Sequence, residues 1–143
     1  MIKKIKDQSG QQLLELCIVL PILIIILGFL ITGGQLSMAK LTATHGAYEA
    51  ARGAVVCTGL NEAKAVANSI GTRMMDSALG NVTADNIDLT VQGEWKKGNF
   101  LTCDIETKVT TLFPVIGIED DGSFRIMREK EISSQISMMI ENE

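Results

Sequence analysis

Gly10 and Glu15 are the residues whose types and spacing most suggest chemistry in this chain. Glu15 puts a carboxylate near the start of the run Leu13 to Ile31, which is otherwise apolar except for Cys17, Pro21 and Gly28. An ionisable group there is costly in hydrocarbon and is a functional candidate by default. Gly10, preceded by Ser9, is a small residue at which a peptidase could cut just ahead of the run. Such a cut would make Gln11 the new N-terminus and Glu15 the fifth residue. The new α-amino group of one copy could then pair with the Glu15 carboxylate of a neighbour. That pairing would offset the desolvation of both charges and help set axial register, while adding little net stability. Gly10 and Gln11 therefore read as cleavage residues and Glu15 as an assembly residue. Pro21 joins Glu15 as an assembly candidate, because it removes a helix hydrogen bond and can bend the segment.

The element that must position these groups is a membrane-length helix. The 19 residues from Leu13 to Ile31 give about 28 Å of helix, against a hydrocarbon core of about 30 Å. Lys3, Lys4 and Lys6 precede the run, and beyond it the first charge is Lys40. Positive flanks stay cytoplasmic, so the C-terminal part is expected outside. Two plainer readings compete. A secretory signal peptide has the same layout with a shorter apolar centre, and Thr32-Gly33-Gly34 or Ser37-Met38-Ala39 could pass for its cleavage site. A simple single-pass anchor explains length and flanks, with Glu15 reaching back to the interface.

Composition narrows the classes. The chain has 143 residues, room for one membrane segment and one small domain, and a formal net charge of −4. Residues 1–10 carry three Lys and one Asp, so their loss would leave the remainder at −6. With no basic patch interleaved with aromatics, no nucleic-acid partner is expected. Cys57 and Cys103 would share the outer compartment and could form one bridge; two unpaired thiols fit the sequence equally well. Cys17 lies inside the apolar run. No zinc spacing, phosphate loop or nucleophile elbow is present, so no metal, cofactor, small-molecule substrate or catalytic residue is expected. His45 reads as solvated and Glu119-Asp120-Asp121 as a solvated turn without the ligand spacing of a calcium loop. Trp95-Lys96-Lys97 reads either as a partner contact or as a hairpin loop beside a core Trp.

Downstream, Leu36, Ala39, Ala43, Ala47, Ala50, Ala51 and Ala54 recur at helical steps, which extends the first helix to about Val56, with looseness at Gly33-Gly34. Gly46, Ala50, Gly53 and Ala54 would let another helix approach closely. A second helix is expected from Glu62 to Leu79, capped by Asn61, closed by Gly80-Asn81, with Met74 and Met75 as core filler. Period-two alternation then marks strands at Ile87–Val91 and Leu101–Val109. Gly93 to Asn99 forms the hairpin loop between them. Leu112 to Gly117 is expected to be an apolar loop because Pro114 cannot sit in a central strand. Phe124 to Ile132 marks a third strand. The fold class is α+β: a long N-terminal helix, a second helix and an antiparallel sheet of about three strands.

The stretch "SGQQLLELCIVLPILIIILGFL" resembles the N-terminus of TadE-like minor pilins or pseudopilins, relatives of type IV pilins in tight-adherence pilus systems. Gly10 matches the cleavage glycine of that family, Glu15 its fifth-position acid and Pro21 the proline of its "LVLP"-like run. Gln11 stands where type IVa pilins carry Phe, a departure toward the TadE side. "HGAYEAARGAVV" (45–56) is similar to the family's "AAREGARYAA"-like segment through Ala50, Ala51, Arg52 and Gly53. The resemblance implies a pilin-like fold and a structural role, not an enzyme. It implies a leader at 1–10 removed by a prepilin peptidase, a transmembrane segment at 11–33 and an exported domain at 34–143, helical over 34–79 and β-rich over 86–133. The implied partners are the peptidase, other pilin or pseudopilin subunits, an inner-membrane assembly platform and the lipid bilayer. The implied location is the cell membrane, N-terminus cytoplasmic, with later passage into an extracellular pilus. The alternative is a single-pass protein whose outer domain binds a partner without entering a filament.

Overall fold

The computed structural model describes residues 7–76, 82–118 and 122–141. Two helices precede three strands: α1 (Asp7–Ala54), α2 (Leu60–Asp76), β1 (Val82–Val91), β2 (Phe100–Ile118) and β3 (Phe124–Met139). The α+β order read from the sequence is the observed one.

At 48 residues, α1 is about 72 Å long, and it runs unbroken through Pro21 and Gly33-Gly34. Its outer half is an alanine stripe in which Ala43, Ala47, Ala50, Ala51 and Ala54 are fully buried. Small side chains there allow close approach of α2, whose buried face is Ala63, Ala67, Gly71 and Met75 at four-residue steps. The close approach is literal. A Cβ on Gly53 would stand 2.5 Å from Ile70 Cδ1, and one on Gly46 2.5 Å from Met75 Cε. The chain's own second helix is therefore what the small residues receive, and Met75 is core filler as expected.

The connection differs slightly from expectation. α1 ends at Ala54 rather than Val56, and α2 starts at Leu60 rather than Glu62. Asn61 is inside the helix. The start is held by Glu62, whose carboxylate accepts from the Thr58 amide (3.2 Å) and hydroxyl (2.9 Å), the back-reaching half of a capping box. The expected end at Leu79 with Gly80-Asn81, and the Glu119-Asp120-Asp121 turn, lie outside the described residues.

The sheet is antiparallel in the order β1-β2-β3. Leu101, Cys103, Ile105 and Val109 of β2 are fully buried, as the two-residue period requires, and Thr107 between them donates to the Ile132 carbonyl at 3.0 Å. Asp85 is the extra residue of a bulge between Ala84 and Asn86, and its carboxylate pairs with Lys108 at 2.8 Å. The β1–β2 loop turns on Gly93 and Gly98, both at positive φ, a region glycine enters without steric cost. Trp95 is half-buried against the main core, which favours the core-Trp reading of this loop.

One expectation is corrected. Leu112 to Gly117 is strand rather than loop, although Pro114 lies within it. The register jumps between Thr110 and Val115, so Pro114 sits in a bulge where no ladder amide is needed. The β1 pairing reaches only to Val109, and beyond that point β3 is the one strand paired with β2 among the described residues. The β-rich region is also longer than 86–133, running from Val82 to Met139. The chain end closes the far side of the head: Ile140 exchanges bonds with Asn99 and Gly98, and Glu141 N donates to the Val55 carbonyl.

Candidate functional site

The residues singled out for processing and assembly lie on the inner half of α1. Gly10, Gln11, Glu15 and Pro21 are all exposed, and so are the large side chains from Leu13 to Leu30. Among the described residues, nothing approaches within 4 Å of the place a Cβ on Gly10 would occupy. The Gly10–Gln11 bond lies in a helix, so a peptidase would have to draw out that turn. Glycine, among the weakest helix formers, lowers that cost. Gln11 and Glu15 are one turn apart on one face, separated by about 6 Å along the axis. No ion pair to Glu15 is present among the described residues. Pro21 has no amide to give the Cys17 carbonyl, leaving that carbonyl without its usual helical donor.

This half of α1 is a candidate membrane span by length and composition, within a helix stretch of 45 residues, Gly10–Ala54. Its apolar side chains find almost no cover in the chain until Gly28. There Phe113 of β2 lies against the helix, 3.4 Å from where a Cβ would stand. The head thus reaches below residue 34 along α1. Above Gly28 polar contacts join the apolar ones. Gln35 Oε1 accepts from the Leu112 amide at 3.1 Å, Lys40 donates to the Ser133 carbonyl, and the hydroxyls of Thr44 and Ser134 meet at 3.0 Å. Sequence reading missed Gly28, Gln35 and Lys40 as docking residues. The only hints were a glycine inside an apolar run and a lone glutamine just beyond it.

Cys57 and Cys103 are both free and buried, within one apolar cluster. The Cys57 thiol donates to the Gly53 carbonyl at 3.4 Å. Burial, with Glu62 nearby, raises its pKa. Burial, reinforced by the carboxylates of Asp104 and Asp88, pushes the Cys103 thiol up to about 11. Neither has the depressed pKa that marks a reactive cysteine. His45 is exposed, and no group of three acidic, Cys or His residues is placed to hold a metal among the described residues.

Together these features define a class: an α+β head carried on one long helix whose inner half is apolar, exposed and of membrane length. Residues 10–52 match the family model of TadE-like proteins. The matched stretch starts at Gly10, contains Glu15, Pro21, Gly28 and Gln35, and ends at Arg52, so the resemblance read from the sequence holds over α1. Comparison with curated proteins and with solved structures gave no match. The family match and the apolar helix fit a membrane protein related to tight-adherence pili.

Proposed function

We propose that this chain is a minor pilin or pseudopilin of a tight-adherence type pilus, a structural subunit and not an enzyme. A prepilin peptidase removes residues 1–10, and α1 holds the subunit in the membrane with its head outside. An inner-membrane assembly platform then brings it into contact with other pilin subunits. The observation that carries this reading is the TadE-like match over 10–52 on a helix whose apolar inner half its own head leaves bare. A helix that is hydrophobic all round must be covered by lipid or by other helices, and a filament subunit uses each in turn.

Within that reading Glu15 meets the α-amino group of a neighbour's Gln11. The one-turn spacing implies an axial offset between the paired subunits on the order of 6 Å. Chains this much larger than a bare helix suit a minor subunit with a specialised head. Intact mass of protein from cells that contain the peptidase tests the first step. Loss of Met1 to Gly10 is expected, and retention of those residues would sink the proposal.

A further inference from the structure

The residues that cover α1 at Gly28 come from the far end of β2. Phe113, Pro114 and Val115 close a groove of about 360 Å³ against Ile24, Gly28 and Leu36. Ile24 and Gly28 belong to the apolar run that ends at Ile31. By helical rise, Gly28 lies roughly 5 Å and Ile24 roughly 10 Å inside the outer end of that run. A bilayer that takes up the run therefore reaches the groove and the strands beside it.

Those strands are suited to such a place. Beyond the end of β1, β2 and β3 continue as a two-stranded ribbon from Val115↔Met127 to Ile118↔Phe124. Ile116 and Ile126 face each other across it. Exposure is 68% for Leu112, 61% for Ile116, 77% for Phe124 and 74% for Ile126, and clustered apolar exposure of this kind marks contact with protein or lipid. Three backbone groups at the bulge find side-chain partners. The Leu112 amide donates to Gln35, and the Thr111 hydroxyl lies 2.8 Å from the Phe113 carbonyl and 3.2 Å from that of Arg128. Internal satisfaction is what backbone leaving water requires. In the sequence, Glu119-Asp120-Asp121 separates the two strands. Three carboxylates cannot enter hydrocarbon, so the ribbon is held to the interfacial layer, where water still reaches its open edges.

We infer that the distal β2–β3 ribbon is a lipid-contacting arm. Leu112, Ile116, Phe124 and Ile126 lie in the outer interfacial layer of the membrane, and a lipid acyl chain fills the groove between Phe113 and Gly28. This goes beyond anchoring by α1 alone, in which the head clears the bilayer from residue 34, and it rests on the membrane reading of α1. A second copy could cover the same apolar face. Lipid is favoured because Phe113, Pro114 and Val115, from which the ribbon continues, lie against residues of the apolar run itself.

Full-length protein in a Trp95→Phe background, reconstituted in phosphatidylcholine vesicles, separates these outcomes with three single reporters. They are Leu20→Trp on α1, Phe124→Trp on the arm and Thr90→Trp on β1. Bromine is placed either deep in the acyl chains or near the headgroup. The reporter at 20 should be quenched by deep bromine, and the one at 90 only by aqueous acrylamide. The reporter at 124 should lose roughly half its fluorescence to shallow bromine, as expected of a ring at the headgroup–acyl boundary. If 20 is quenched while 124 behaves like 90, the arm is overturned and the anchor stands. If 20 is not quenched, the anchor reading fails first. If 124 is shielded from both quenchers, and the shielding falls as protein is diluted in lipid, a second copy covers the face and the lipid assignment is overturned.

Discussion

The two halves of α1 are built on opposite side-chain sizes. From Leu13 to Ile31 the helix carries Leu, Ile, Val and Phe, and almost all are exposed. From Ala39 to Ala54 it carries a stripe of alanines, and that stripe is buried. In a soluble domain the bulky half would be the one inside. The inversion shows that the halves answer to different surroundings. The outer half is fitted to specific partners, α2 and the sheet, and to α2 at a distance only small residues allow. The inner half is suited to an apolar medium that needs no particular shape, which in the proposed function is lipid first and neighbouring helices later. Glu15 is the one specific group in that unspecific half.

Two substitutions pull this contrast apart, with the largest effects expected. Ala50→Leu adds bulk at a fully buried position facing α2, and overpacking of this kind costs roughly 3 kcal/mol. Thermal melting of the head in detergent should fall steeply or become uncooperative. Glu15→Ala touches nothing in the head, so the melt should stay within about 0.5 kcal/mol of the parent. It should nonetheless enter membranes and fail to be incorporated into filaments, as read by sedimentation of sheared pili. Normal incorporation of Glu15→Ala would leave the two halves different in composition but not in the role argued for Glu15.

Next in size is a pH effect confined to the head. Cys103 is a neutral thiol in the core, with its pKa raised to about 11 by burial and then by Asp104 and Asp88. In the unfolded chain it ionises near the usual thiol value of about 8.5. Its contribution is therefore complete below the unfolded value and is lost as pH rises through the folded one, amounting to roughly 2 kcal/mol or more between those limits. Cys103→Ala should lower stability at pH 7 yet show a flatter decline from neutral to alkaline pH than the parent. Cys17→Ala, on the exposed half, should follow the parent curve at every pH. Parallel curves for all three proteins would mean that burial of Cys103 does not set the alkaline limit.

How much of this was legible depended on the range of the interactions. The apolar run, the alanine stripe and the alternation at Ile87–Val91 and Leu101–Val109 are local patterns, and each produced the element it implied. Glu15 stood out for the same reason, as a charge judged against its immediate neighbours. Pro114 misled because a local rule against proline in a strand was applied without the bulge, which depends on β3. The end of β3 was hidden by Ser133, Ser134 and Ser137, whose small hydroxyls blur the alternation; Thr44 meets Ser134 at 3.0 Å and Thr102 meets Ser137 at 2.9 Å. The Gln35–Leu112 bond joins residues 77 positions apart, and nothing near either residue announces it.

That bond lies at the border between the halves and supports the smallest effect expected. Gln35 is half-buried on α1 just past the apolar run, and its Oε1 accepts from the bulge amide of Leu112. Gln35→Leu keeps the apolar stem and removes the acceptor. A neutral hydrogen bond at a partly solvated site contributes about 1 kcal/mol, which would speed opening at that amide roughly five-fold. The opening should stay local, because β1, α2 and the core do not depend on the bulge, so global melting is expected to be unchanged. Hydrogen exchange at Leu112 in detergent reads the effect directly. If exchange quickens together with that of Leu101 and Ile105 in the core, the ribbon is part of the head's cooperative unit. If it quickens alone, the ribbon is a separately hinged extension of the head, held to α1 by Gln35 and the Phe113–Gly28 contact.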